Sequence, residues 1–368
     1  MKTTNGSSWF KKFIETLLTA VSITNFLLGF VTVLPQKIMQ YFPMMMLSSW
    51  VASVVFALVF TIYWHKGERK QNLNSERIHA WLQGILRYLL AFFLSIYGFA
   101  KLFNAQFVSS FHLDDSLVST LTGSQLTWNY FAYSIELSVI IGLCQIGGGI
   151  LLLFRRTTLA GVAILLPIML NVVLINQFYQ ISIGAFINSV VYTSVLIYLL
   201  SLYRKELIEL FYEYKNKLPE VCKPSLRNTA RIMSIGLAFG FVFYVVNKNK
   251  TDEKYVGKWE VNSLSRNGKT MLKNDWVQDS TAWKVVYFEN NKQIYLCPNP
   301  FVYEDARSLF LTYQYESGTD DLTVISYERN PQMPDTIPIR VSVNNKKQLQ
   351  WDWILYGDTI QMQLVKSK

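Results

Sequence analysis

Histidine and cysteine are scarce, three of each in 368 residues. That scarcity bears on any chemistry needing several such side chains at one place. His65, His79 and His112 all fall between the long apolar runs of the chain. Haem ligation or a zinc site would need imidazoles that converge, so neither bound haem nor a catalytic metal is expected. Cys144 lies in an apolar run, Cys222 in a basic segment and Cys297 in a polar C-terminal region, with no C-x-x-C pair. In the topology read below these are three different compartments, which excludes an internal thiol–disulfide relay. From residue 251 onward there is no apolar run of spanning length, and no paired carboxylates, Ser-His-Asp set, glycine-rich phosphate loop or metal spacing.

What the chain does have is hydrocarbon. Apolar runs at 14–34, 44–64, 82–103, 129–154, 158–178, 181–203 and 229–247 each approach the ~20 residues that cross ~30 Å of bilayer core. Lys11 and Lys12 precede the first run as they would in a secretory signal. That run is too long for one and ends in "FVTVLPQK" without a small-x-small cleavage site, so it reads as an uncleaved span.

The basic residues assign an orientation, because Lys and Arg are retained on the cytoplasmic side. Lys2, Lys11 and Lys12 precede span 1, and Lys66, Arg69, Lys70 and Arg77 separate spans 2 and 3. Arg155 and Arg156 separate spans 4 and 5, and "YRKELIELFYEYKNKLPEVCKPSLRNTAR" separates spans 6 and 7. In the alternate loops Lys37 is the one mid-loop cation, and the longest, 104–128, carries Asp114 and Asp115. The N-terminus is therefore expected inside and the C-terminus outside. The net charge of +10 is accounted for by these loops and by anionic lipid, not by a nucleic-acid surface.

Polar side chains inside hydrocarbon are costly and are candidates for function. Lys101 at the end of span 3, Glu136 and Gln145 in span 4, Asn171 and Asn176 in span 5 and Asn188 in span 6 qualify. At ~100° per residue, Ser138, Gly142, Gln145 and Gly149 share one face of span 4 and Glu136 points away from it. Small residues flanking an amide suit close helix packing as well as a ligand, and Asn171 and Asn176 admit the same two readings. Lys101 either snorkels to the headgroups or pairs with Glu136 in a polar pocket. Gly236 and Gly240 in "GLAFG" suggest close packing by span 7, between protomers as one option. "RKELIELFYEYK" is amphipathic and suits the inner interface.

The segments "RYLLAFFLSIYGFAKLF" (87–103), with Tyr97-Gly98 and Lys101-Leu102, "GGGILLLFRRTTLAG" and "MLNVVLINQFY" resemble the DoxX-like family of bacterial integral membrane proteins. The resemblance covers roughly 82–203. It implies a four-helix core in the inner membrane, and in some relatives a link to quinone-dependent sulfur oxidation or to membrane oxidoreductase complexes. Relatives often carry a glutamate at the position of Gln145, an aspartate near Gln180 and a lysine near Gly184; this chain keeps only Lys101. A glutamine does not exchange protons at neutral pH, so the departure favours binding or scaffolding over catalysis.

After residue 251, "KWEVNSL", "WKVVYFE", "QIYLC", "LFLTYQY", "DLTVISY", "LQWDWIL" and "TIQMQLV" alternate with period two between turn residues, which predicts an antiparallel meander. Leu349, Trp351, Trp353 and Leu355 share a face suited to a barrel or sandwich interior. Gly257-Lys258-Trp259 is similar to the Gly-x-Trp of lipocalin-like barrels, where the tryptophan closes one end; an apolar ligand inside is the other option.

The expected fold is thus an all-α polytopic bundle of about seven transmembrane helices with a DoxX-like four-helix core, followed by a lipocalin-like antiparallel β-barrel or sandwich. The expected divisions are 1–80, two helices and a cytoplasmic loop; 81–203, the core; 204–250, an amphipathic segment and the seventh helix; and 251–368, an extracytoplasmic β domain. The expected role is a subunit or a scaffold for lipid or another hydrophobic ligand, without a cofactor of its own. Tyr97, Lys101, Glu136, Gln145, Asn171, Asn176 and Asn188 are its ligand-binding candidates, and no catalytic residue is assigned. The alternative is a quinone-linked oxidoreductase subunit, in which Tyr97 and Lys101 help hold a quinone carbonyl and a partner carries the redox centres. A third reading is a carrier of an apolar molecule to the β domain. Expected partners are membrane lipid, a membrane-complex subunit and a second copy through span 7.

Overall fold

The computed structural model describes residues 8–31, 40–107, 116–213, 223–248, 255–289, 292–315, 321–328, 333–345 and 347–367. Lys2, Lys37, His112, Asp114, Asp115, Lys215, Lys217 and Cys222 lie outside the described residues. The chain forms two compact units, Met1–Lys217 and Leu218–Lys368.

The first unit is helical: α1 (Trp9–Val31), α2 (Phe42–Arg69), α3 (Ser75–Leu102), α4 (Gly123–Tyr133), α5 (Ile135–Leu153), α6 (Thr158–Phe178), α7 (Ile183–Ser201) and a short α8 (Arg204–Ile208). The second unit opens with α9 (Pro224–Lys248). Seven of these, α1, α2, α3, α5, α6, α7 and α9, are long and apolar enough to cross a membrane. Polar side chains set several of their starts: Asn74 accepts from the Arg77 amide at α3, and Ser182 from the Ala185 amide at α7, each at 3.1 Å.

Two expectations about the helices need correction. The span read at 129–154 is broken at Ser134, an extended residue that separates α4 from α5 and caps α5 by accepting from the Leu137 amide. Glu136 consequently sits in the first turn of α5, exposed, where the helix dipole favours a carboxylate. Lys12, read as a topogenic charge ahead of span 1, is inside α1 and completely buried, because α1 begins at Trp9 and carries Lys12 against α2.

The bundle closes where side chains are smallest. Ser138, Gly142, Gln145 and Gly149 are all buried along one face of α5. A methyl added at Gly142 would lie 2.8 Å from the Gly98 carbonyl, and one at Gly98 would lie 2.8 Å from the Gly142 carbonyl, so α3 and α5 meet backbone to backbone. Leu86, Leu90 and Leu94 of α3 pack with Leu152, Leu165 and Leu196 in the apolar core beyond this crossing. α9 differs: its apolar side chains are exposed, and a methyl at Gly236 or Gly240 would meet nothing within 4 Å. The amphipathic run after α7 continues α8 as a single π-helical turn, Glu209–Glu213, with Leu210, Phe211 and Tyr212 exposed.

The second unit also holds a closed barrel. Its strands are β1 (Gly257–Arg266), β2 (Lys269–Thr270), β3 (Val285–Phe288), β4 (Gln293–Cys297), β5 (Leu309–Tyr315), β6 (Asp321–Ser326), β7 (Asp335–Asn345), β8 (Gln348–Leu355) and β9 (Asp358–Lys366). β1 and β3 to β9 form an eight-stranded antiparallel meander closed by β1 on β9, and β2 is a short hairpin on β1. Asn267-Gly268 and Tyr356-Gly357 make the tight turns after β1 and β8, with positive φ at both residues of each pair.

β7 was absent from the sequence reading because Pro338 interrupts it. Ile337, Ile339 and Val341 nevertheless alternate inward, and Pro338 sits opposite Thr323. Leu349, Trp351, Trp353 and Leu355 face the interior with Trp259, Trp283 and Phe288, which makes it a packed aromatic core. Trp259 is completely buried and donates from Nε1 to the Tyr255 carbonyl at 2.7 Å.

Candidate functional site

A cavity of about 400 Å³ opens among α3, α4, α5, α6 and α7. Most of its wall is apolar, and Phe107, Trp128, Phe131, Met169 and Tyr192 are among the residues that line it. Its polar end is built around Lys101, the last-turn lysine of α3. Only 8 % of Lys101 is exposed, and Nζ donates to Gln145 Oε1 at 3.0 Å, Gln106 Oε1 at 2.9 Å and the Tyr97 carbonyl at 3.3 Å. The Phe107 ring centre lies 5.6 Å from the same nitrogen. The ammonium's three donors are thus held by neutral acceptors, and no Asp or Glu is among the described lining residues.

The helix crossing explains this arrangement. Gly98 and Gly142 bring α3 and α5 together, and the next turn of each helix carries Lys101 and Gln145 across the contact. Gln145 is 2 % exposed, and its side-chain oxygen is oriented by Lys101. Lys101 therefore neither snorkels free nor pairs with Glu136. Glu136 is exposed, lies off the cavity wall and accepts from Ser134 Oγ at 3.1 Å.

The remaining candidates divide between wall and structure. Tyr97, Asn171, Asn176 and Asn188 all line the cavity. Asn176 ties α6 to α7, donating to the Ala185 carbonyl and to Ser189 Oγ, each at 3.1 Å. Asn188 accepts from Asn25 Nδ2 at 3.1 Å, and Asn25 in turn accepts from Trp50 Nε1 at 3.1 Å, linking α7, α1 and α2. Asn171 lines the cavity and is exposed at the chain surface.

Several lining or supporting residues escaped the sequence reading. Asn25 is an amide within the first span and satisfies the same rule that selected Asn171. Gln106 lies just past span 3, and Thr127 and Trp128 belong to the separate helix α4, which the unbroken apolar pattern concealed.

A second polar group lies where α1, α2 and α3 meet. Lys12 pairs with Glu68, and its Nζ is 3.5 Å from His65 Nδ1 and 5.3 Å from the Trp64 ring centre. Completely buried Glu15 pairs with His79, and Trp64 donates to Ser75 Oγ at 2.8 Å. The two imidazoles serve different partners, and no cluster with metal-ligand composition occurs among the described residues. These contacts join three helices.

The chain is 32 % identical over 119 residues to the uncharacterized protein YwoB of Bacillus subtilis (strain 168); the match covers 32 % of this chain and 73 % of that one. No family model matches the chain, and no solved structure matches it.

Proposed function

Because the chain belongs to the same family as the uncharacterized Bacillus subtilis protein YwoB, whose name carries no activity, we propose a function from the chain's own cavity. The protein is an inner-membrane scaffold or complex subunit that holds one amphiphilic molecule among α3 to α7. The supporting observation is the largely apolar cavity with a buried, hydrogen-bonded Lys101 in its wall. The amides of Gln106 and Gln145 each offer a donor and an acceptor, so a ligand oxygen can replace one of them on Lys101 without stranding the other. The barrel interior is filled by its own side chains, which favours the helical cavity over the barrel as the ligand site. The DoxX-like relationship of 82–203 and the lipocalin-like character of the barrel belong to the same proposal.

A quinone-linked subunit is the second reading, favoured by Tyr97 and Lys101 lining one cavity with Trp128 and Phe131. Lys101 would donate to a quinone carbonyl, and a partner would carry the redox centres. Mass spectrometry of small molecules extracted from protein purified in mild neutral detergent decides among these outcomes. The expected result is one amphiphile per chain, with retention reduced about tenfold or more by Lys101→Ala. A stoichiometric quinone lost on that substitution supports the second reading. Recovery of bulk phospholipid alone, unchanged by Lys101→Ala, removes both.

The orientation proposed is N-terminus cytoplasmic and barrel extracytoplasmic, supported by the alternation of basic loops. A reporter fused after residue 368 is expected to be active outside the cytoplasm; activity confined to the cytoplasm would overturn the seven-span arrangement.

A further inference from the structure

At the opposite end of α3 from Lys101, a recess of about 540 Å³ lies between the start of α3 and the end of α5. Arg77, Arg87, Arg155 and Arg156 line it, and no carboxylate does. None of the four makes an ion pair among the described residues. An adjoining recess of about 390 Å³ shares Arg87 and Arg155 and adds Lys11, His79 and a single acid, Glu76. Around the two together stand five Lys or Arg side chains and one carboxylate.

Topology signalling accounts for basic residues in loops, but it does not account for Arg87. That residue is ten positions past Arg77 along α3 and only 7 % exposed, and its guanidinium donates to Thr158 Oγ1 at 3.1 Å. The planar guanidinium has five donors, so one bond to a hydroxyl leaves most of its capacity for a multidentate anion. The rest of the wall is apolar, and its largest side chains are exposed: Trp81, Tyr88 and Phe154 are 70, 56 and 62 % exposed. Gly84 lines both recesses, and a methyl there would meet nothing within 4 Å, which keeps that wall open.

We propose that this recess is a binding site for the phosphate headgroup of an anionic phospholipid, with Arg87, Arg155 and Arg156 on the phosphate and the acyl chains along Ile85, Tyr88 and Leu153. Phosphate is the shared chemistry of a lipid headgroup and a free phosphate compound. The exposed apolar wall on helices long enough to span a membrane favours the lipid. The site is separate from the α3–α7 cavity and does not depend on its ligand.

The test is native mass spectrometry of the full chain in neutral detergent with added phosphatidylglycerol, cardiolipin or phosphatidylcholine, and with inorganic phosphate as competitor. The anionic lipids are expected to be retained at least ~10-fold more than phosphatidylcholine, and the Arg155→Gln/Arg156→Gln pair should reduce that retention ~10-fold. Gly84→Leu, which fills the recess without altering charge, is expected to reduce it as well. Lys66→Gln/Lys70→Gln removes as many charges away from the recess and should leave retention intact. Equal retention of phosphatidylcholine, no effect of the arginine pair or of Gly84→Leu, or an equal loss with the lysine pair would overturn the proposal. Displacement of the lipid by millimolar inorganic phosphate would assign the recess to a free phosphate compound instead.

Discussion

Leucine in place of Gly142 is expected to force α3 from α5 and to destabilise the bundle by about 3 kcal/mol, the upper part of the range for overpacking a close-packed core. A side chain there meets the Gly98 carbonyl at 2.8 Å, Leu102 Cδ1 at 2.7 Å and Lys101 Cβ at 3.2 Å. A backbone carbonyl cannot rotate aside, so relief requires moving a helix. Because Lys101 and Gln145 flank the crossing, one on each helix, the same movement breaks their 3.0 Å bond and should abolish retention of the proposed cavity ligand. Gly148→Leu meets a side chain instead of backbone, Leu165 Cγ at 2.5 Å and Cδ2 at 2.7 Å, in the buried core; with a side chain to displace and no helix, its cost should be about 2 kcal/mol. Gly147 has nothing within 4 Å, and Gly147→Leu should leave stability unchanged or slightly raised through helix propensity. Thermal loss of monodisperse protein in detergent ranks the three variants. If Gly142→Leu and Gly147→Leu melted together, the backbone crossing would not be the contact that closes the bundle.

Those glycines also illustrate what could be read without coordinates. Apolar length locates the helices well because hydrocarbon thickness imposes it, and residues 158–178 correspond to α6 at both ends. Length is blind to a break inside an apolar stretch. Ser134 and Glu136 have the pattern of a cap and an acidic first turn, yet the surrounding hydropathy absorbs them into one span and makes Glu136 one candidate partner of Lys101 in a pocket that it does not line. In the barrel, period-two alternation exposes the inward face of β8 but undervalues β7, where Pro338 looks like punctuation. At the cavity, the cost of a polar group in hydrocarbon singles out Lys101 and Gln145. Their pairing depends on where Gly98 meets Gly142, a property of two helices that neither sequence segment carries alone. A topology signal is all that Arg155 and Arg156 suggest by themselves; the recess they share with Arg87, in a different helix, depends on how α3 meets the end of α5.

The pair formed by Lys12 and Glu68 should respond unequally to loss of either member. Lys12 is completely buried, whereas the Glu68 side chain is 20 % exposed. Glu68→Leu removes both the countercharge and the acceptor and leaves the ammonium, among the described residues, beside the His65 ring nitrogen and the Trp64 face. An unpaired buried charge of this kind costs about 3–5 kcal/mol. Lys12→Met keeps the side chain's length and its packing on Trp64, and the Glu68 carboxylate left behind still reaches solvent, so its cost should be roughly 1 kcal/mol. Lys12→Met/Glu68→Leu removes both charges and replaces them with apolar volume; its stability should return to within ~1 kcal/mol of the parent. Thermal melting of the four proteins in one detergent supplies the double-mutant cycle. A Lys12→Met variant as unstable as Glu68→Leu would show that the carboxylate, and not the ammonium, is the group that depends on the pair. A double variant worse than both singles would show that the two residues hold α1 to α2 through separate contacts. The expected order, with the double variant most stable of the three, follows from one physical asymmetry: the lysine lies beyond the reach of water and the glutamate does not.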